Sequence, residues 1–247
     1  MSDTNKNTYK YRIKALKNLL SELNLDALIV THCDEFLSYE LRENQERLKY
    51  LTGFSGSAGY AVIVNRFNLT LEEKGIELST NSGLGTDVAH SSCAVFVDGR
   101  YILQVQEQID HDLYQAFDQA KIKPSNYLCS VLAKNGNVGI DTSCISYREY
   151  LEIKKDLEAF NFTLEATAGN LVDRIWEDKP AEIISPIRIF NDEYNGRPSS
   201  QKRQRLAQTL REKGIDVDKM KTMFYNVLSA HKHSQTRHPE VFDRRRR

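Results

Sequence analysis

The chain has 247 residues, with 34 Lys+Arg against 34 Asp+Glu, so its formal charge is zero. At roughly 150 residues per domain this is one large domain or two small ones. Forty per cent hydrophobic and 28% charged residues suit a globular core. The balance of charge argues against a nucleic-acid binder that works through an overall basic field. Apolar runs stop at about five residues (60–64 and 93–97), far short of the ~20 that span a bilayer. The polar start, Met1 to Asn7, lacks the apolar stretch of a secretory leader. Cys33, Cys93, Cys129 and Cys144 form no C-x-x-C pair. Four reduced thiols in a cytoplasmic protein are therefore expected, with Cys93 and Cys129 in the core.

In chain order, Ile13, Leu16, Leu20 and Leu23 mark one face of a helix over 9–23. Asn24 ends it, and Ala27 to Val30 reads as a short buried strand. After a polar loop (31–35), a short helix over 45–51 stops before Gly53. The glycine-rich stretch 53–59 leads into a strand over 60–64. Residues 65–92 are polar and weakly periodic, too long for an ordinary connection, and read as an insertion between two strands. The second of these, 93–98, closes at Asp98-Gly99-Arg100, and Ile102, Val105 and Ile109 continue as a helix. A helix over 124–134 and a strand over 138–140 follow. Ser146-Tyr-Arg-Glu149 forms a capping box for a helix expected to turn Tyr147, Tyr150, Leu151 and Leu157 inward. A strand over 162–167 and a short helix over 170–176 complete the series. Strands alternating with helices give an α/β fold, a mixed β-sheet flanked by helices.

Beyond Pro186 the composition becomes that of a linker, and a helix over 199–213 ends at Gly214. Leu16, Leu20, Glu22, Leu25 and Asp26 recur as Leu206, Leu210, Glu212, Ile215 and Asp216, all at an offset of 190. The first copy runs on into a buried strand. The second runs into Val217-Asp-Lys-Met-Lys221, which has no such pattern. Domain boundaries are accordingly expected at 8–186, with the insertion at 65–92. Residues 187–216 are then a linker and the start of an incomplete second domain of similar type, and 217–247 a divergent, disordered tail.

Several residues invite chemistry. His231-x-His233 with His238 is the one histidine cluster, and it lacks neighbouring carboxylates that alternate on a strand, so it reads as solvated tail rather than metal site. Gly53, Gly56 and Gly59 have the wrong spacing for a dinucleotide fingerprint and precede a strand, so they read as a turn with close backbone packing. Ser55 lacks the following glycine of a nucleophile elbow. Asp98, Arg100 and Tyr101 are the best local site candidate. A strand-end Arg can fork to a carboxylate or peptide carbonyl, and the rival reading is a turn closed by an Asp98–Arg100 contact. Asp34 and Glu35, as neighbours on extended chain, point apart and suit a loop-capping or interface role better than an acid/base pair. Arg244 to Arg247 reads as a solvated terminus rather than a nucleic-acid contact.

Taken in order, Asp34-Glu35, the run Glu46 to Gly59, Phe96 to Tyr101 with Leu103-Gln104, Gly139-Ile-Asp141, and Asn170 to Trp176 with Pro180 resemble the N-terminal domain of Xaa-Pro aminopeptidases. That family also holds creatinase and prolidase. The resemblance covers about 9–186, and weaker similarity to the start of the second domain of the cytosolic three-domain type reaches about 216. It implies removal of an N-terminal residue preceding proline by a dinuclear, usually manganese, centre. The metal ligands (two Asp, one His and two Glu) belong to a C-terminal domain with no counterpart in this sequence. No catalytic or metal-binding residue is therefore assigned to this chain, and no cofactor.

The resemblance implies a non-catalytic domain that helps form an oligomer and walls the substrate cleft. Its edge at Asp98, Arg100 and Tyr101 is expected to face a neighbouring subunit. The sequence departs from the family at the 65–92 insertion and from Val217 onward, so a truncated or split gene product is the expectation. Partners are then a second copy of the chain or a separately encoded catalytic chain, with neither nucleic acid nor membrane. The alternatives are one half of an active split metallopeptidase and a decayed product without function.

Overall fold

The computed structural model describes residues 3–66, 76–79, 86–89, 91–132, 135–184, 186 and 191–215. The expected tail over 217–247 lies outside these residues. The chain divides into two compact units, Met1–Glu182 and Ile183–Arg247.

In the first unit, α1 (Asp3–Glu22) leads to β1 (Ala27–Thr31). A 3-10 turn at Glu43–Gln45 and α2 (Arg47–Thr52) precede β2 (Gly59–Val64). Two short strands, β3 (Ile76–Ser79) and β4 (Thr86–Ala89), pair antiparallel within the stretch expected to be an insertion. Then come β5 (Cys93–Val97), a 3-10 turn at Gly99–Tyr101, and α3 (Ile102–Gln108). β6 (Gln115–Asp118), α4 (Pro124–Val131) and β7 (Asn137–Ile140) follow. A 3-10 turn at Thr142–Cys144 precedes α5 (Tyr147–Glu158), β8 (Thr163–Ala166) and α6 (Leu171–Ile175). The second unit contains α7 (Asp192–Asn195) and α8 (Ser199–Glu212).

The main sheet has six strands in the order β6-β5-β2-β1-β7-β8. β1 pairs parallel to β7, β7 to β8 and β5 to β6, while β2 runs antiparallel to both β1 and β5. Five strands therefore point one way and β2 the other. Side-chain alternation divides the core in two. Leu28, Val30, Ala61, Ile63, Val95 and Val97 face one side, where α1, α2, α3 and α6 supply Leu16, Leu20, Leu51, Val105 and Val172. Ala27, Ile29, Val62, Val64, Ala94 and Phe96 face the other, against Tyr127, Leu128 and Val131 of α4 and Leu157 of α5. A central strand buried on both faces must be apolar at every position, which is why 27–30, 61–64 and 93–97 read as unbroken runs.

Two expectations change. Tyr147 and Leu151 do not turn inward; they are 76% and 44% exposed. Tyr150, Ile153 and Leu157 form the stripe that packs on the sheet, while Tyr147, the first residue of the helix, stands exposed. Among the thiols, Cys93 and Cys144 are buried while Cys129 is half-buried. Cys144 sits in a polar sequence, yet the turn at 142–144 folds it under Arg47, 3.8 Å from its Nη1. All four are free thiols.

Candidate functional site

Since β1, β5, β6, β7 and β8 run in parallel, the loops after them gather along one edge of the sheet, where β2 also begins. Open α/β sheets bind ligands outside the carboxyl ends of their strands. Every site candidate in unit one, Asp34, Glu35, Asp98, Arg100 and Tyr101, lies along this edge.

The loop after β1 is held by Asp34. Its carboxylate is buried, and Oδ1 accepts hydrogen bonds from the backbone N–H of Phe36 at 3.0 Å and of Ser38 at 2.8 Å. The Leu37 N–H donates to its carbonyl at 3.1 Å. This clamp holds Leu37 left-handed at φ 55°, a conformation that costs a residue with a Cβ about 1–2 kcal/mol. Asp34 is thus committed to the backbone, and Glu35, half-buried, stands apart from it. The loop turns Phe36 (70% exposed) and Tyr39 (62%) outward.

The turn after β5 closes on itself. Asp98 Oδ1 accepts from the Arg100 N–H at 3.0 Å and from Arg100 Nε at 2.7 Å. The backbone N–H and then the guanidinium hold the Asp98 carboxyl below its usual range. Asp98 in turn raises Arg100. The guanidinium carbon also lies 5.5 Å from the centre of the Tyr101 ring. Both readings of this turn meet here: the internal contact forms, and the guanidinium stays exposed.

Two residues join the cluster that sequence reasoning missed. Ser57 Oγ and the Tyr101 hydroxyl are 2.7 Å apart. Ser57 first, then Arg100 and Tyr101, lower the pKa of the Tyr39 phenol. Tyr39, Ser57 and Tyr101 come from three separate loops, so no spacing in the sequence signals them. The glycine-rich loop serves as close packing, as expected. Gly53 caps α2 at φ 80°, and a Cβ on Gly56 would lie 2.2 Å from the Phe54 ring. The Ser55 hydroxyl is engaged by the amides of Gln104 and Gln108, not by a base.

Beneath the edge lies an ionic anchor. Arg47, buried, donates Nε and Nη2 to the two carboxylate oxygens of Asp173, each at 2.8 Å. Lys179 Nζ approaches Asp173 Oδ2 at 2.8 Å. Burial alone would raise the Asp173 carboxyl, but the hydrogen bonds and charges of Arg47 and Lys179 outweigh it and the net shift is downward. Asn170 Nδ2 donates to Asp141 Oδ2 at 2.9 Å, and Tyr50 stacks on Trp176 at 4.4 Å. The stretch 170–176 is therefore a strap that fixes α2 and the loop after β7.

Among the described residues, no three His, Cys, Asp or Glu side chains gather as metal ligands, so these residues do not fit a dinuclear centre. His231, His233 and His238 lie outside the described residues. What the edge does offer is contact. Phe36, Leu37, Tyr39, Leu103, Tyr147 and Leu151, all 44–80% exposed, belong to the loops and first helical turns along it.

The sequence profile of the Creatinase/Prolidase N-terminal domain matches residues 12–173. The chain belongs to this family. A probable Xaa-Pro aminopeptidase P of Coprinopsis cinerea is 27% identical over 207 residues, 82% of this chain and 29% of that protein. The Xaa-Pro aminopeptidase ApepP of Drosophila melanogaster is 29% identical over 196 residues, 78% of this chain and 28% of that protein. The chain thus spans under a third of these relatives' length. The crystal structure of the X-prolyl aminopeptidase of Caenorhabditis elegans superposes with a TM-score of 0.65 at 23% identity, over 84% of this chain and 32% of that one. The fold is shared, the mixed sheet with helices on both faces.

Proposed function

We propose that this chain is a non-catalytic N-terminal module of Xaa-Pro aminopeptidase type. Its carboxyl edge docks beside a metallopeptidase domain and limits access to that domain's substrate cleft. The observation that carries the reading is the edge itself: six large apolar side chains stand exposed in the loops and helices along it, which also carry a cluster fixed by internal hydrogen bonds. Exposed apolar surface gathered on one side of a protein marks interaction sites. A pre-fixed cluster loses little side-chain entropy on contact. The partner is a second copy of this chain or a separately encoded catalytic chain. The dinuclear manganese centre and the removal of a residue before proline belong to that metallopeptidase domain.

The module is proposed to work in the cytoplasm. The relative from Caenorhabditis elegans is described as "a cytosolic enzyme with a di-nuclear active site". Among the described residues no helix is long and apolar enough to cross a membrane.

The test is to incubate the purified chain with Mn²⁺ and an Xaa-Pro-Xaa peptide. No release of the first residue above background is expected, and turnover would overturn the reading. Phe36→Ser with Tyr147→Ser is expected to weaken association with a catalytic partner at least tenfold at unchanged melting temperature. Unchanged association would remove the edge from the interface.

A further inference from the structure

The zero formal charge of the chain hides an uneven distribution. Residues 1–182, the first unit, carry 27 Asp+Glu against 19 Lys+Arg, an excess of eight carboxylates. The stretch between β1 and α2 holds half of that excess: Asp34, Glu35, Glu40, Glu43 and Glu46 stand against Arg42 alone. On other surfaces of this unit several carboxylates have a cation beside them. Arg66 meets Asp26 at 3.0 Å, and on α5 Arg148–Glu152 and Lys154–Glu158 are i,i+4 pairs at 3.0 and 3.7 Å. The loop after β1 has no such relief. Asp34 is committed to backbone N–H groups, Arg42 is drawn off to Glu182 at 2.7 Å, and the neighbouring Arg100 is held by Asp98 at 2.7 Å. Glu46 has His32 at 3.4 Å. Glu35, Glu40 and Glu43 have no cationic partner among the described residues. Between Glu35 and Glu40 stand the exposed Phe36, Leu37 and Tyr39. Acidic and apolar side chains thus share one loop, whose shape the Asp34 clamp fixes before any contact.

We propose that this loop sets what the edge can dock on: a protein surface that is apolar at its centre and carries Lys or Arg opposite Glu35, Glu40 and Glu43. The inference rests on the docking role proposed above and names the chemistry of the facing surface. Contact around Phe36 and Tyr39 strips water from the flanking carboxylates, and a carboxylate left unpaired in a dry interface is strongly unfavourable. A neutral or acidic surface is therefore refused. A cationic one keeps each charge paired and speeds the encounter by attraction at a distance. The sign of the charge excludes other occupants, since nucleic acid and anionic lipid are repelled. Among the described residues no three His, Cys, Asp or Glu side chains gather as metal ligands, so a metal ion does not take the place. Two copies cannot meet loop to loop, because carboxylates would face carboxylates.

The test places a photoreactive group at the same edge. The full-length chain carrying Leu103→p-benzoyl-phenylalanine, in the first turn of α3, is irradiated in the cells that produce it, and the attached peptide is identified by mass spectrometry. The adduct is expected on a metallopeptidase domain, with Lys or Arg exposed beside the attached peptide. Glu40→Lys with Glu43→Lys should lower the yield about tenfold or more at unchanged melting temperature, and Glu40→Gln with Glu43→Gln should lower it less. Glu165→Lys, on β8, should leave the yield unchanged. Changing the exposed Lys or Arg beside the adduct to Glu should restore the yield of the Glu40→Lys, Glu43→Lys chain. An adduct on that domain whose yield ignores the reversals at 40 and 43, an equal loss from Glu165→Lys, or no restoration by the compensating change would overturn this inference and leave the docking role standing. No adduct on a metallopeptidase domain would overturn both.

Discussion

Replacing Asp34 by alanine removes the acceptor of two backbone N–H groups, those of Phe36 and Ser38. Hydrogen bonds to a charged group contribute about 1.5–3 kcal/mol each. Water can reach this loop, whose residue 36 is 70% exposed, so rehydration recovers part of that and the net loss is about 2–3 kcal/mol. Leu37 then gains about 1–2 kcal/mol by leaving the left-handed region, so the loop opens instead of sitting strained. Amide exchange at Phe36, Leu37 and Ser38, followed by NMR, is expected to quicken about 30- to 140-fold, at 1.4 kcal/mol per tenfold. The melting temperature should fall by about 4–12 °C. Asp34→Asn keeps one acceptor without its charge and should lose about half as much. Exchange within threefold of the parent in the alanine variant would refute the idea that this carboxylate holds the loop.

Asp173→Asn leaves the buried Arg47 guanidinium facing a neutral amide and should cost about 3 kcal/mol, a fall of about 6–12 °C for a unit of this size. Asp173 titrates lower in the folded state than unfolded, so its contribution is present above about pH 4 and is lost as acidity carries the pH down through the folded value. Acid melts should show the parent losing stability below about pH 4 and the Asn variant losing less. Ser146→Ala removes the cap oxygen that accepts from the Glu149 N–H at 3.2 Å and should cost about 1 kcal/mol, read by urea denaturation. Gly59→Ala would place a Cβ 2.7 Å from the Phe96 carbonyl, and forcing β2 from β5 should cost about 1–3 kcal/mol in the same assay. Burial raises all four thiols, Cys129 and Cys144 to about 12. A disulfide reagent at pH 8 should therefore label the folded chain slowly and the denatured chain quickly at four sites.

The elements that could be read from sequence are those whose side chains obey one period. Leu16 and Leu20 fix α1, and the unbroken runs at 27–30, 61–64 and 93–97 fix the central strands, because burial on both faces leaves no polar position. β6 was not legible: Phe117 alone of Gln115–Asp118 is buried, so an edge strand of four residues carries no pattern. β3 and β4 pair only with one another, within a polar stretch that offers no alternation long enough to read. Tyr147 misled because helical period places it on the stripe of Tyr150, Ile153 and Leu157, yet as the first residue of the helix it is 76% exposed. At the edge, the Asp98–Arg100 turn was legible since both partners lie within three residues. Tyr39 and Ser57 reach the same point only through pairing of strands distant in sequence, and no local rule announces that.

β2 runs against the other five strands of the sheet, and this sets where length can be added. The chain enters β2 at the carboxyl edge and leaves it at the opposite one, so the stretch between Val64 and Cys93 departs from the end that carries none of the docking residues. Length added there neither lengthens the loops that hold Tyr39, Ser57 and Arg100 nor shifts the register of the strands that carry them. One reversed strand thus puts the contact residues at one margin of the sheet and the ends of this stretch at the other. A fluorescent or affinity tag belongs at the second.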